Sequence, residues 1–435
     1  MQRKYIVDPI CFLQCLSWRV SMKKIVTVLL AFVLVASIFA GCGGAAEESK
    51  SGLKVAALEG TCGEDAWKQV CKAFTEKTGV EVQLSVYKNA NELASVKADV
   101  VHSGSASDLV EKLVKDKKLH DLSGVLEATI PGENVKVADK IENGFLESAV
   151  TMPYGDGKTY VAPVFYSPWA LYYNARLFEM KRWDVPTTWD DMWVLADKAL
   201  AENIYLFAYY ETEDMVSFLS ALMYSIGGAD FYNAVVNGKE GVWDTKEGRN
   251  FVKILDKLAK YTHPEFKGLD DSQTDKKQHL VVHQEALFVP NHTGVTSVML
   301  MATQSISSGT FNWGLMALPG VGYDEARYSY CTVEDIWIPA DAEMKAEAEQ
   351  FIAFMYSDEA AQILAAKSAV QPIKGMSAIV DSSAKWLYTL FDDGAKAALG
   401  NGKIAATLIE SFNQMVDGTI KSSEYIENAK AAAAQ

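Results

Sequence analysis

The segment Tyr160–Trp193 constrains the fold most strongly, because it combines two prolines with a dense run of aromatic side chains. Proline fixes its own backbone and restricts the residue before it, so we expect that Pro163 and Pro168 do not share one regular element. We interpret the segment as a strand that crosses between two lobes, with aromatic side chains exposed where the lobes meet. For any single aromatic residue, a place in an ordinary core is the commoner alternative.

The length of 435 residues is too great for one compact core and suits two lobes. Strands alternate with amphipathic helices along the first part, as at Leu53–Leu58, Glu64–Lys77 and Ala98–Val101, which predicts a parallel α/β sheet. From Ser382 onward the chain is rich in alanine and predicts helix packed on the second lobe. The formal net charge of −15 argues against a nucleic-acid partner, since phosphate binding needs a basic surface.

Residues 22–41 have the composition of a secretory signal, with a basic start and the apolar run Ile25–Phe39. Small residues precede Cys42, as in a bacterial lipobox, so we expect Cys42 to become the lipidated first residue of the mature protein. An ordinary signal peptide or an anchor helix is the alternative. Residues 1–21 lie upstream of this complete signal, and residues 42–51 predict a flexible tether.

Cysteine and histidine spacing predicts no metal site and no cofactor. Cys62, Cys71 and Cys331 remain after the leader and the anchor, and their odd number allows at most one disulfide within the chain. His279 and His283 stand four apart, but with no third ligand beside them a solvated helix face is the better interpretation. No phosphate-binding loop or dinucleotide fingerprint is present.

We expect the binding residues to lie at strand ends and on the connections between lobes, because open α/β sheets bind ligands beyond the carboxyl ends of their strands. Carboxylates, amides and hydroxyls can bond the hydroxyl groups of a sugar, while aromatic faces cover its C–H patches. The candidate ligand-binding residues are Glu64, Asp65, His102, Ser103, Phe165, Trp169, Tyr172, Tyr209, Glu211, Asn291, His292, Glu334, Asp335 and Trp337.

Structural roles compete with binding at several of these positions. Asp65 equally suits the start of its helix. Trp337 lies between Ile336 and Ile338, so its side chain faces either the core or the ligand. The Ser103–Ser107 segment suits a plain helix cap better than an anion site.

Several motifs occur together in the order that one protein family shows. They are Phe74–Val82, Ala162-Pro163, Trp169–Asn174, Leu177-Phe178 and Val185–Asp191. With these motifs the chain resembles the extracellular solute-binding proteins of carbohydrate ABC importers, the maltose-binding-protein-like family 1. It departs from them at Asn291–Gly294, where the family commonly has Asn-Gly-x-Trp. Ring contacts are therefore expected from Trp169 or Trp337 instead.

The resemblance implies an α/β fold of two lobes, each a mostly parallel sheet flanked by helices and joined to the other by crossing strands. We expect an N-terminal lobe of residues 52–163 and 330–372 and a C-terminal lobe of residues 164–329 and 373–435. The implied function is that of a lipid-anchored, monomeric receptor on the outer face of the bacterial cell membrane. It would close its lobes on a sugar or oligosaccharide and deliver it to ABC permease subunits with a cytoplasmic ATPase.

Other function classes remain open at this point. A secreted glycoside hydrolase would need paired carboxylates, for which Glu211, Glu213, Glu334 and Asp335 are candidates. A receptor for a peptide or a polyamine, and a purely adhesive surface protein, are the others. The carboxylates make a strongly anionic ligand a poor fit.

Overall fold

The computed structural model describes residues 52–60, 62–105, 107–146, 148, 150–208, 212–264, 276–292, 303, 311–321, 326–367, 369–379, 388–400 and 404–433. The predicted signal, Cys42 and the tether lie outside these residues. No helix within them is long and apolar enough to cross a membrane.

Nine strands of the described chain join in one connected sheet, in the order β2-β1-β3-β8-β4-β6-β5, with β7 beside β4 and β9 beside β8. The strands are β1 Leu53–Leu58, β2 Val82–Tyr87, β3 Val100–Gly104, β4 Ala162–Asn174, β5 Tyr205–Phe207, β6 Ala286–His292, β7 Trp313–Met316, β8 Tyr328–Trp337 and β9 Lys396–Leu399.

Helices flank the sheet throughout the described chain. They are α1 Gly63–Thr78, α2 Ala90–Leu93, α3 Ser107–Lys115, α4 Ser123–Glu127, α5 Val137–Lys140, α6 Ala175–Lys181, α7 Trp189–Leu200, α8 Thr212–Val236, the 3₁₀ turn Val242–Asp244, α9 Lys246–Tyr261, α10 Lys276–Val282, α11 Lys345–Met355, α12 Asp358–Ala365, α13 Met376–Ile379, α14 Thr389–Asp392, α15 Ala406–Val416 and α16 Ser422–Ala433.

The sheet is mixed, and its two longest strands connect the two lobes. Strands β2, β1 and β3 are parallel on one side, and β5 and β6 are parallel on the other. Between them β8 and β4 run antiparallel to each other and to their outer neighbours. This is the two-lobed α/β architecture that the sequence predicted, with β4 and β8 as the crossing strands.

The prediction that the two prolines of β4 break it into separate elements was wrong, because both lie where the ladder itself is irregular. The register of β4 against β8 shifts between Pro163 and Phe165, which marks a bulge. Pro168 is the last residue paired with β8, and from Trp169 the strand pairs with β6. A proline has no N–H to donate to a ladder, so it is tolerated at a bulge and where a strand changes partners. The prolines therefore mark the crossing without ending the strand.

Helix α1 shows how sequence pattern and packing agree. Its apolar positions Trp67, Val70, Cys71 and Phe74 recur at helical spacing and are all buried. Phe74 packs against two phenylalanines of α11, with ring centroids 5.1 and 5.6 Å away. Burying one such ring contributes about 1.5–3 kcal/mol, so α1 is fixed firmly below the strand end that it follows.

One further prediction needed correction, and another was confirmed. The segment after Ser382 is not wholly helical, since β9 forms at Lys396–Leu399 and pairs in parallel with β8. The four residues KAAL show no alternation of buried and exposed positions, so the sequence alone does not separate a strand from a helix here. The predicted helix end at Gly227-Gly228 is confirmed, because the backbone of both glycines is non-helical and the α8 range consists of two helices that meet at a kink there.

The three described cysteines are free and buried, which decides how they should react. Burial raises the pKa of Cys62 and of Cys71 to about 12, and it also raises that of Cys331. Because the thiolate is the reactive form, we expect all three to resist iodoacetamide in the native protein. Peptide mapping should show alkylation of these cysteines only after unfolding. Rapid native labelling of any of them would contradict this packing.

Candidate functional site

The crossing strands place a row of side chains on one face of the sheet between the lobes. Phe165, Ser167 and Trp169 alternate along β4 and so project to the same side. Residues directly opposite in an antiparallel ladder share a face. Their partners on β8 and β6 are Glu334 for Phe165, Thr332 for Ser167 and His292 for Trp169. The cleft row consists of Phe165, Glu334, Ser167, Thr332, Trp169 and His292.

Most of the cleft row is accessible to a ligand. Thr332 is exposed, and Ser167, Trp169, His292 and Glu334 are partly exposed. Phe165 is the exception, because it is only 1% exposed and packs below the others. Hydroxyl, carboxylate, imidazole and indole groups therefore line one continuous surface.

His102 supports the carboxylate of this row from below. It is buried at the end of β3, with its ring 4.9 Å from that of Trp67 and 5.5 Å from that of Phe165. Its Nε2 lies 3.1 Å from Oε2 of Glu334. Trp67 is fixed in turn, since its indole N–H donates to the carbonyl of Leu58 at 3.0 Å. His102 is thus buried behind Glu334, in contact with its carboxylate, and is not itself a member of the cleft row.

The loop after β1 approaches the same carboxylate closely. Gly60 has a φ of +47°, and a Cβ built there would lie 3.2 Å from Oε2 of Glu334. Only glycine combines this left-handed backbone with so close an approach. The loop after β1 and the end of β3 therefore meet at Glu334.

Trp169 and His292 form the second half of the row. Their ring centroids are 4.8 Å apart at an angle of 52°. The backbone of Trp169 is held by the hydroxyl of Ser329, which donates to its carbonyl at 2.7 Å. Asn291 is fully buried, and its Oδ1 accepts from the N–H of His292 at 3.0 Å. Asn291 thus fixes the end of β6 and does not face the row.

Several predicted residues belong to the core. The Trp337 indole N–H donates to Oγ of Ser103 at 3.0 Å, and both side chains are buried on the other face of β3 and β8. Tyr172 is fully buried, with its ring 6.5 Å from that of Trp313. Burial raises the pKa of its hydroxyl well above the usual value. The structure does not bring these three side chains into the cleft row.

Glu64 and Asp65 lie in the first turn of α1, and both are exposed. Glu64 forms an ion pair with Lys68 one turn later, with an N–O distance of 2.7 Å. Acidic side chains are favoured at a helix start, so this position has a structural reason of its own. Asp335 is adjacent to Glu334 but projects to the opposite side of β8. Tyr209 and Glu211 lie outside the described residues.

Two residues of the row, Ser167 and Thr332, were absent from the sequence candidates. The signal for Ser167 was its place between Phe165 and Trp169, which becomes visible once β4 is recognised as one strand. Thr332 could only be found from the register, because it lies opposite Ser167 on a distant segment.

The row can accept and donate hydrogen bonds to hydroxyl groups and can cover an apolar ring face. Within the described part of the chain, no three His, Cys, Asp or Glu side chains are grouped so that they could hold a metal ion. The groups of the cleft row are suited to binding a ligand by polar contacts and by stacking.

Comparison with solved structures supports the fold. The bacterial solute receptor AcbH, described as having an exclusive preference for β-D-galactopyranose, superposes with a TM-score of 0.69 and 14% identity over 88% of this chain and 97% of its own. The apo form of RafE from Streptococcus pneumoniae gives a TM-score of 0.66 and 16% identity over 88% of this chain and 97% of its own.

Sequence comparison gives the family. The diacetylchitobiose binding protein NgcE of Streptomyces coelicolor is 24% identical over 276 residues, which are 59% of this chain and 56% of NgcE. The aligned part thus spans little more than half of that curated relative. Residues 63–362 match the bacterial extracellular solute-binding proteins along more than half of the chain, and the chain therefore belongs to that family.

Proposed function

We propose that this protein binds a sugar or short oligosaccharide in the cleft row and passes it to an ABC importer. The observation that carries the proposal is that a carboxylate and an accessible indole lie in one row on the strands that join the lobes. Nε2 of His102 lies 3.1 Å from Oε2 of Glu334, and the rings of Trp169 and His292 are 4.8 Å apart.

The chemistry of the row fits a neutral, hydroxyl-rich ligand. Glu334 accepts hydrogen bonds from ligand hydroxyls, while Ser167 and Thr332 can both donate and accept. Trp169 offers an aromatic face to the C–H side of a pyranose ring. The names of NgcE and AcbH refer to diacetylchitobiose and β-D-galactopyranose, which supports the same ligand class for this chain.

Binding is proposed to close the two lobes about β4 and β8. The proposed lobes are residues 52–163 with 330–372 and residues 164–329 with 373–435. Contacts from both sides would stabilise the closed form only when the cleft is filled, so the ligand shifts a two-state equilibrium. We expect Tyr209 and Glu211, which follow β5 in the sequence, to supply some of these contacts, while the buried Asn291 holds the backbone of His292 in place.

The family is extracellular, and we infer that a lipid on Cys42 anchors this member to the cell membrane. Residues 22–41 would be removed as the signal, and residues 42–51 would link the anchor to the first lobe. We further infer that the protein acts as a monomer, that it binds without turnover, and that permease subunits with a cytoplasmic ATPase receive the ligand.

Thermal-shift screening of the protein against mono-, di- and trisaccharides should identify a ligand that raises the melting temperature by several degrees, because a ligand bound only to the native state stabilises it. Small-angle scattering should then show a smaller radius of gyration at saturation. The recovered sugar should be chemically unchanged after prolonged incubation.

Three results would contradict the proposal. If no sugar in the panel shifts the melting temperature, the ligand class is wrong. Unchanged dimensions at saturation would remove the closure step. Cleavage of a glycosidic bond would identify a hydrolase instead.

A further inference from the structure

A second recessed site lies at the edge of β8, where that strand changes neighbours. β8 pairs with β3 over Asp335–Trp337 and with β9 over Tyr328–Cys331, so Thr332–Glu334 lie between these two partners. The carboxyl ends of β3 and β9 approach each other there. A cavity of about 450 Å³ lies at this gap. That volume is in the range of small-molecule sites.

Both lobes contribute to the wall of this cavity, and the wall is largely apolar. Val110 and Val114 of α3 and Val333 of β8 form one side. Leu399 and Gly400 at the end of β9 form part of the other. The remaining lining residues are Ser105, Glu111, Lys115, Val150, Pro153, Tyr232, Asn233, Tyr330, Thr332 and Asp335.

Asp335 is the polar anchor that this wall provides. Asp335 is one of the lining residues and is only 8% exposed. Among the described residues, no hydrogen-bond partner of its Oδ1 is found. A buried carboxyl oxygen without a hydrogen-bond partner is unfavourable. A hydrogen bond from a ligand therefore contributes more binding free energy here than at an exposed carboxylate. Burial, and secondarily the charge of Glu334, raise the pKa of Asp335 well above its usual value.

The charges around the cavity favour a cation. Glu111 and Lys115 are of opposite sign and offset each other. Burial favours the neutral form of Asp335 in the empty cavity, and an ammonium group beside it would favour the ionised form. The neighbouring Glu334 adds an acidic group on the same strand. We propose that this cavity binds a small organic amine, with its ammonium group on Asp335 and its apolar body against Val110, Val114 and Leu399. A charge-assisted hydrogen bond in a largely apolar site is among the stronger polar contacts.

This site is separate from the cleft row. The two share only Thr332, and the adjacent residues Glu334 and Asp335 project to opposite sides of β8. Amine binding in this cavity therefore does not depend on sugar binding at the cleft row. An experiment can contradict one of these two proposals and leave the other intact.

Isothermal titration of the full chain with 2-phenylethylammonium tests the proposal. We expect one saturable site, and no binding of 3-phenylpropionate, which has a similar body with the opposite charge. Asp335→Asn should weaken amine binding at least about tenfold, since it removes the charge while keeping the shape. Val114→Phe, which fills the cavity from α3, should weaken it as well.

Two matched variants act as controls. Glu359→Gln removes an exposed carboxylate on α12 that pairs with Lys77 and should leave amine affinity unchanged. Trp169→Ala should also leave it unchanged, because the indole belongs to the cleft row. The proposal is overturned if the amine does not bind, which would make the cavity a solvent site. It is equally overturned if Asp335→Asn and Val114→Phe, checked for native melting, both bind as the parent does.

Discussion

Trp169→Ala is expected to weaken sugar binding by about 10- to 100-fold while lowering the melting temperature by only a few degrees. The indole is partly exposed and rests against His292 at 4.8 Å, so its accessible face is available to a ligand. Aromatic pairs contribute about 0.5–1.5 kcal/mol beyond area burial, and covering a sugar face adds the apolar area removed from water. Titration calorimetry with the sugar found by screening measures the loss.

Trp243→Phe provides the matched control, because Trp243 is a buried indole remote from the cleft row. It is 3% exposed and its ring lies 5.9 Å from that of Phe251. The Trp243→Phe substitution should lower the melting temperature and leave sugar affinity unchanged. The opposite pattern, in which Trp169→Ala destabilises the protein but binds normally, would assign Trp169 to the core and remove the main support for the proposed site.

The parts of the fold that follow local rules were predictable from sequence. β1 matches its predicted bounds, and α1 extends one residue beyond its prediction at each end. The alternation of strand and helix and the crossing segment both indicated two lobes. These features depend on short-range patterns that a single chain segment contains.

Features that depend on strand partners were not predictable. The prolines of β4 are tolerated only because of the bulge beside Pro163 and the change of partner after Pro168. β9 exists because its short segment pairs with β8, and KAAL alone has no strong strand signal. The side of the sheet on which each side chain lies was not predictable either. A shift of one residue in strand register decides whether Trp337 or its neighbour faces the cleft row.

The same reasoning explains which site residues were found. Glu334, Trp169 and His292 were candidates because they follow or form the crossing strands, and the register brings them to one face. Ser103 and Asn291 were candidates on the same grounds, but their neighbours bury them. The strand-end rule therefore indicated the region of the candidate site, whereas the choice of side chains within that region required the pairing of distant strands.

Breaking the buried ion pair between Lys277 and Asp214 is expected to cause the largest loss of stability. The side chains are 2% and 0% exposed, and Nζ of the lysine contacts Oδ2 of the aspartate. Removing one member of such a pair leaves a buried charge without its counter-ion and costs about 3–5 kcal/mol. We expect Lys277→Met or Asp214→Asn to lower the melting temperature by on the order of 10 °C. Differential scanning fluorimetry measures the change.

The double variant Asp214→Asn/Lys277→Met separates the loss of the pair from the loss of packing. With neither charge of this pair present, it should lose less stability than the sum of the two single losses, because the two substitutions share one interaction. Glu76→Gln is the exposed control, since Glu76 pairs with Lys72 at 3.6 Å on the surface of α1 and such pairs contribute under about 1 kcal/mol. Additive losses in the double variant would contradict the prediction.

This pair also connects stability to the proposed site. Asp214 lies in the first turns of α8, and its side chain borders a small void that Trp169 and Pro290 also line. The pair thus fixes the start of α8 beside the indole of the cleft row and directly after the segment that holds Tyr209 and Glu211. Lys277→Met should therefore weaken sugar binding as well as stability, whereas Glu76→Gln should change neither. Normal affinity in a destabilised Lys277→Met protein would show that the pair supports the lobe without positioning the site.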